Sequence, residues 1–230
     1  MACGRLGTDL DAVIAIEVTL PDSGIVERGD TMIPRARALN GRGDSVATTV
    51  YWSALDTLIV QVLDTTTGAT LGKKPGSVSG RIQARAGSLR SNPLSVAVRP
   101  QADTLFASGT GRDTVTASAS ADSLSDSLKV QIQDLYVLSD TVRACSKGIT
   151  PVNLAARPVT FQITYPTGGS GFTLVPQDSV LSGSGGIAVV RVRLVNRTLP
   201  DSAVVTATAV RANGLPVPGS GVTFVVEFVP

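Results

Sequence analysis

The chain has 230 residues, is 43% apolar but only 4% aromatic, and carries a formal charge of +2. A core can therefore be built, but mainly from Val, Ile, Leu and Ala, which suit strands. The weak charge and scarce aromatics argue against nucleic acid or an anionic bilayer as partner. Histidine is absent and cysteine occurs twice, at Cys3 and Cys145; imidazole acid–base chemistry, Ser-His-Asp triads and a thiolate zinc cage have no residues to be made from, and no cofactor is expected.

Residues 1–11 read as a polar tail. No complete signal peptide stands in this segment, yet Ala2-Cys3-Gly4 resembles the junction at which bacterial lipoproteins are cut, with Cys3 the lipid-bearing residue. The alternatives are a free thiol at an arbitrary start, or a Cys3–Cys145 disulfide in an oxidising compartment. No apolar run approaches the ~20 residues of a membrane helix, so lipid on Cys3 is the one expected membrane contact.

Ala12–Leu20 predicts a strand, ended by the turn Pro21-Asp22-Ser23-Gly24. Ile25-Val26-Glu27 reads as a short edge piece. From Met32 to Leu39, Met32, Pro34, Ala36 and Ala38 alternate with Ile33, Arg35, Arg37 and Leu39, and Pro34 makes that run an edge or bulged strand. Val50–Val62 holds the only tryptophan, Trp52, and predicts two strands, 49–53 and 58–63, around one large core side chain. Residues 64–72 read as a turn region. In 78–86 the period of two puts Val78, Ile82, Ala84 and Ala86 on a buried face and Ser79, Arg81, Gln83 and Arg85 outside. Leu94, Val96 and Val98 alternate in a last strand. Some seven short strands with regular turns predict a sandwich.

Several residues in this half act together: Gly29-Asp30-Thr31, the Trp52-Ser53 pair, Gly68-Ala-Thr-Leu-Gly72, Pro75-Gly76 and Ile82-Gln-Ala84. In this set residues 12–98 resemble a bacterial Ig-like domain of group 2. The resemblance implies an Ig-like sandwich in a surface or secreted protein, and no catalytic residue.

Arg99-Pro100-Gln101-Ala102 marks the expected boundary, giving domains 12–100 and 101–230. Residues 103–107 and 114–119 are weaker strand candidates, and Leu128, Val130 and Ile132 alternate cleanly. Residues 135–157 read as a long connection. Val159, Phe161, Ile163 and Tyr165 then form one face of a strand; Ala188, Val190, Val192 and Leu194, then Ala203, Val205, Ala207 and Ala209, then Val222, Phe224, Val226 and Phe228 follow suit. No stretch has helical periodicity. Arg157-Pro-Val-Thr-Phe161, Gly186-Ile-Ala188, Ala203-Val-Val-Thr-Ala207 and Val222-Thr-Phe224 resemble the invasin-type, group 1 bacterial Ig-like domains, which implies a module of adhesins and envelope proteins. The fold class expected is all-β, two tandem Ig-like β-sandwiches.

Few residues suggest chemistry. Aspartates precede many apolar runs, with Asp122 and Asp126 nearest to a calcium-type cluster; Asx-turns at strand starts explain the same spacing. Arg42-Gly43-Asp44 matches an adhesion tripeptide and is also ordinary turn chemistry. Arg35, Arg37, Arg81 and Arg85 project at period two and would form a basic stripe for an anionic surface polymer if their strands are neighbours; otherwise they are a solvated face. Trp52 is either core or a sugar-stacking platform. Asn196-Arg197-Thr198 fits a glycosylation acceptor or a turn, and Cys145 is a loop thiol without an activating histidine. The expected role is a non-enzymatic spacer or adhesion module of a bacterial envelope, attached through its N-terminus or another subunit. The alternatives are a binding module for carbohydrate or protein that uses loops at a sandwich end, or a fibre subunit that self-associates through edge strands.

Overall fold

The computed structural model describes residues 10–116, 123–135, 151–169, 171–195 and 202–229. The fold is all-β: apart from short 3-10 turns at Pro21–Gly24 and Thr167–Gly169, its regular elements are strands. The chain divides into two compact units, Met1–Gln101 and Ala102–Pro230.

In the first unit the strands are β1 (Val13–Thr19), β2 (Ile25–Glu27), β3 (Thr31–Met32), β4 (Arg35–Asn40), β5 (Ser45–Val46), β6 (Tyr51–Ala54), β7 (Val60–Val62), β8 (Thr70–Gly72), β9 (Gly80–Ala86), β10 (Leu89–Arg90) and β11 (Leu94–Arg99). They form a sheet in the order β1-β4-β5, a five-stranded sheet β10-β9-β11-β2 with β6 also on β9, and a small sheet β3-β8-β7. Alternation decides what is buried. Ile82 and Ala84 of β9 and Val96 and Val98 of β11 point inward, and Ile16, Val18 and Ala36 pack on them from β1 and β4. Trp52, Val26, Met32 and Val60 complete this core; each fully buried side chain of this size stabilises by about 1.5–3 kcal/mol.

Three local expectations change here. The 32–39 run is two strands: Pro34, with no N–H to give a ladder, falls where the chain leaves β8's sheet for β1's, and β4 lies between β1 and β5 instead of at an edge. The 64–72 region contains a strand, β8, whose Thr70 is fully buried; its hydroxyl donates to the Gly68 carbonyl at 2.7 Å, so burial leaves it satisfied. The 78–86 strand begins at Gly80, which leaves Val78 outside the sheet and exposed.

The second unit contains β12 (Thr104–Ala107), β13 (Arg112–Thr116), β14 (Leu128–Asp134), β15 (Val152–Asn153), β16 (Pro158–Tyr165), β17 (Phe172–Val175), β18 (Ser179–Leu181), β19 (Ile187–Leu194), β20 (Ser202–Thr208) and β21 (Val222–Val229). One sheet runs β12-β14-β19-β17, with β15 on β14; the other runs β13-β21-β20-β16-β18. Their inner faces make a sandwich core. Leu105, Val130, Ile132, Val190 and Val192 come from one sheet, and Val159, Phe161, Val205, Phe224 and Val226 from the other. The rings of Phe172 and Phe228 meet across it at 5.4 Å between centroids, a tilted pairing that aromatic quadrupoles favour. The register of β16 against β20 shifts between Ile163 and Tyr165. That irregularity turns Tyr165 to solvent, away from the face that strict alternation gave it.

Each unit brings strands near its start and its end together side by side and parallel. In the first, Ala97, Val98 and Arg99 pair with Ile25, Val26 and Glu27. In the second, Arg112 through Thr116 pair with Val225 through Val229.

Candidate functional site

The residues singled out by sequence scatter. Trp52 is 4% exposed, which makes it core and removes it as a sugar platform. Arg35 and Arg37 lie on β4, Arg81 and Arg85 on β9, and these strands belong to different sheets, so the condition for a continuous basic stripe is not met. Three of the four also have local partners. Arg37 pairs with Glu17 on the adjacent strand, Arg85 lies 5.9 Å from the centre of the Tyr51 ring, and Arg81 clamps Asp56.

Arg42-Gly43-Asp44 is an exposed turn organised by its neighbour. The buried side chain of Asn40 accepts N–H bonds from Arg42 and Asp44, both at 2.9 Å, and Arg42 reaches Asp11 at 3.4 Å. Among the aspartates, Asp64 is an Asx-turn: the Thr66 hydroxyl and N–H each donate to its Oδ1 at 2.7 Å, and the Thr67 N–H at 3.2 Å. Those bonds, led by the Thr66 hydroxyl, hold its pKa down at about 2. Among the described residues no group of three or more acidic, Cys or His side chains lies together to hold a metal. Cys3, Cys145, Asp122 and Asn196-Arg197-Thr198 lie outside the described residues.

Residues 55–59 follow β6 and residues 73–79 precede β9, and between them lies a recess of about 620 Å³. Its walls include Leu55, Leu58, Ile59, Pro75 and Val78. The loops are tied together. Arg81 donates to Asp56 through Nε (2.8 Å), Nη2 (3.0 Å) and its backbone N–H (2.9 Å). The N–H groups of Lys73 and Lys74 both donate to the Ile59 carbonyl, at 2.8 and 3.2 Å, and the Lys73 ammonium donates to the Thr57 carbonyl at 3.0 Å. The Arg81 side-chain bonds lower the Asp56 pKa, and the same pairing raises that of Arg81.

Sequence reasoning missed this recess because it placed Leu58 and Val78 in strands. The signal against that was Pro75-Gly76 and Gly80 on either side of Val78.

No family model and no curated protein matches the chain. Among solved structures it is similar to the Yersinia pseudotuberculosis adhesin InvE, at 14% identity and a TM-score of 0.38, over 93% of this chain and 59% of that one. It is also similar to the D00-D0 domain of intimin (16% identity, TM-score 0.31, 94% of this chain and 100% of that one). A third likeness is to the fibronectin(III)-like modules of Clostridium thermocellum CbhA (16%, 0.36, 92% and 93%). The chain thus spans 59% of the length of the adhesin. These scores carry no further argument, and the all-β architecture stands on the strand pairing described above.

Proposed function

We propose that this chain is a non-catalytic structural module of a bacterial cell surface, a spacer of two Ig-like units that keep their fold under tension. The observation that carries this reading is the parallel pairing of early and late strands within each unit. Force applied at the two ends of a unit draws such strands past each other along their length. Their hydrogen bonds are then loaded together in shear, where an antiparallel hairpin pulled at its open end would lose them one at a time. The pairing covers three residues in the first unit and five in the second, so the second unit is the mechanically stronger.

Other features support a structural role. The large aromatic that a glycan site would display is buried as Trp52. The shifted groups, Asp56, Arg81 and Asp64, are explained by a surface ion pair and a turn. Placement at a bacterial surface rests on the resemblance of the two halves to bacterial Ig-like domains, with Cys3 as the proposed lipid-bearing residue. Acyl chains on Cys3 in mass spectra of the native membrane fraction test that attachment; unmodified, soluble protein refutes it.

The mechanical claim is tested by pulling single molecules from both ends. The Val225 N–H donates to the Gly111 carbonyl at 2.9 Å, and the repeat of a parallel ladder then aims the Val115 N–H at β21 and the Thr114 N–H away. Val115→Pro is expected to lower the rupture force of the second unit, and Thr114→Pro to leave it nearly unchanged. Equal forces for wild type and both variants would overturn the load-bearing role.

A further inference from the structure

The recess between residues 55–59 and 73–79 has properties that load bearing does not require. Leu58 is 80% exposed and Val78 67% exposed, the two highest values among the exposed large hydrophobic residues described, and both stand at the same recess. Aliphatic side chains held in water beside an apolar wall mark an interaction site more often than chance. The volume, about 620 Å³, falls within the roughly 300–1,000 Å³ common for ligand sites. The walls are also preformed. The Asp56–Arg81 clamp and the bonds from Lys73 and Lys74 to the opposite loop fix the separation of the two loops. An occupant therefore does not have to organise them, which lowers the cost of binding.

Charge selects among occupants. The carboxylate of Asp56 is already matched by the Arg81 guanidinium. The Lys73 ammonium, in contrast, donates to the neutral carbonyl of Thr57, one of the wall residues, and so sets a cation against that wall. A concave site with an aliphatic wall and a cation bonded to it fits side chains on a strand or loop. A flat bilayer cannot fill it.

We propose that this recess docks an acidic, aliphatic peptide segment of a partner protein, whose apolar side chains enter between Leu58 and Val78 while a carboxylate meets Lys73. The proposal is independent of the load-bearing role. Rupture forces can fail to shift while the peptide binds, and the reverse.

The test uses the full chain, labelled with 15N, titrated with an acetylated hexapeptide alternating leucine and glutamate. Saturable shifts at Leu58, Ile59, Ser77 and Val78 are expected. Leu58→Glu should weaken binding at least about tenfold through loss of one buried aliphatic contact, and Lys73→Glu should weaken it and remove its salt dependence. Leu181→Glu, a change at an exposed aliphatic of the second unit, should leave it unchanged. Because Leu58 is so exposed, the Leu58→Glu chain is expected to melt like wild type, which separates lost binding from lost folding. The proposal is overturned if the hexapeptide does not bind, if binding survives Leu58→Glu, or if a hexapeptide alternating leucine and lysine binds equally well. Vesicles of phosphatidylglycerol that bind in a Leu58-dependent way while the acidic hexapeptide does not would assign the recess to a membrane, and would overturn it too.

Discussion

Gly68 offers the most direct test of how the first unit is packed around Trp52. Its φ is +77°, and a Cβ placed there would lie 2.8 Å from both Cδ1 and Nε1 of the indole and 2.9 Å from Cγ of Pro34. Gly68→Ala therefore meets two penalties. A left-handed conformation costs a non-glycine residue about 1–2 kcal/mol, partly offset by the lower entropy of the unfolded alanine chain. Pushing a buried indole and a proline ring aside adds about 1–3 kcal/mol of overpacking. The sum is about 2–4 kcal/mol. Gly43 supplies the control, since its φ is +84° and a Cβ there would meet nothing within 4 Å; Gly43→Ala should cost only the conformational part, about 1 kcal/mol. Urea unfolding followed by tryptophan fluorescence measures both, and the single Trp52 makes the signal specific to the first unit. If Gly68→Ala costs no more than Gly43→Ala, the close approach to the indole is not a constraint and the packing account is wrong.

Acid should act on the first unit through Asp64. Its folded pKa of about 2 lies below the ordinary 3.8, so its stabilising contribution is fully present above the unfolded value and is lost as pH falls from about 4 through about 2. Thr66→Ala removes the leading hydroxyl donor, and an NMR titration of the Asp64 carboxyl should then show its midpoint moving up toward 3.8; an unmoved midpoint would refute the assignment. In the second unit Phe161 is 1% exposed at the centre of the core. Phe161→Ala should cost about 3–5 kcal/mol, read as a lower urea midpoint in far-UV circular dichroism, and a loss under about 1 kcal/mol would contradict the burial described here.

Much of the strand inventory is legible from local pattern. Period-two alternation located β9, β11, β14, β16, β19, β20 and β21, because a strand covered on one face must repeat inward and outward side chains whatever its neighbours are. The same logic fails where burial is not apolar or where a bulge resets the parity. Thr70 is buried in β8 with its hydroxyl satisfied by a carbonyl two residues away, so nothing apolar announces that strand. Tyr165 alternates correctly in sequence and is turned out by a register shift that depends on β20, some forty residues further along. β13 reads Arg-Asp-Thr-Val-Thr, and its place beside β21 is fixed by backbone hydrogen bonds that carry no residue signature.

The candidate sites divide in the same way. That Arg42-Gly43-Asp44 would be a turn, and that histidine and clustered thiolates would be wanting, are properties of residue types and needed no coordinates. Whether four arginines form a stripe depends on which strands adjoin, and β4 and β9 are in different sheets. The recess likewise depends on residues 25 positions apart, joined by the Asp56–Arg81 clamp. The sequence by itself determined an all-β chain with an aliphatic interior, since composition and period are local quantities. Only the tertiary structure decided which early strand lies parallel to which late one, and which aliphatic side chains remain in water, since both depend on contacts between segments far apart in the chain.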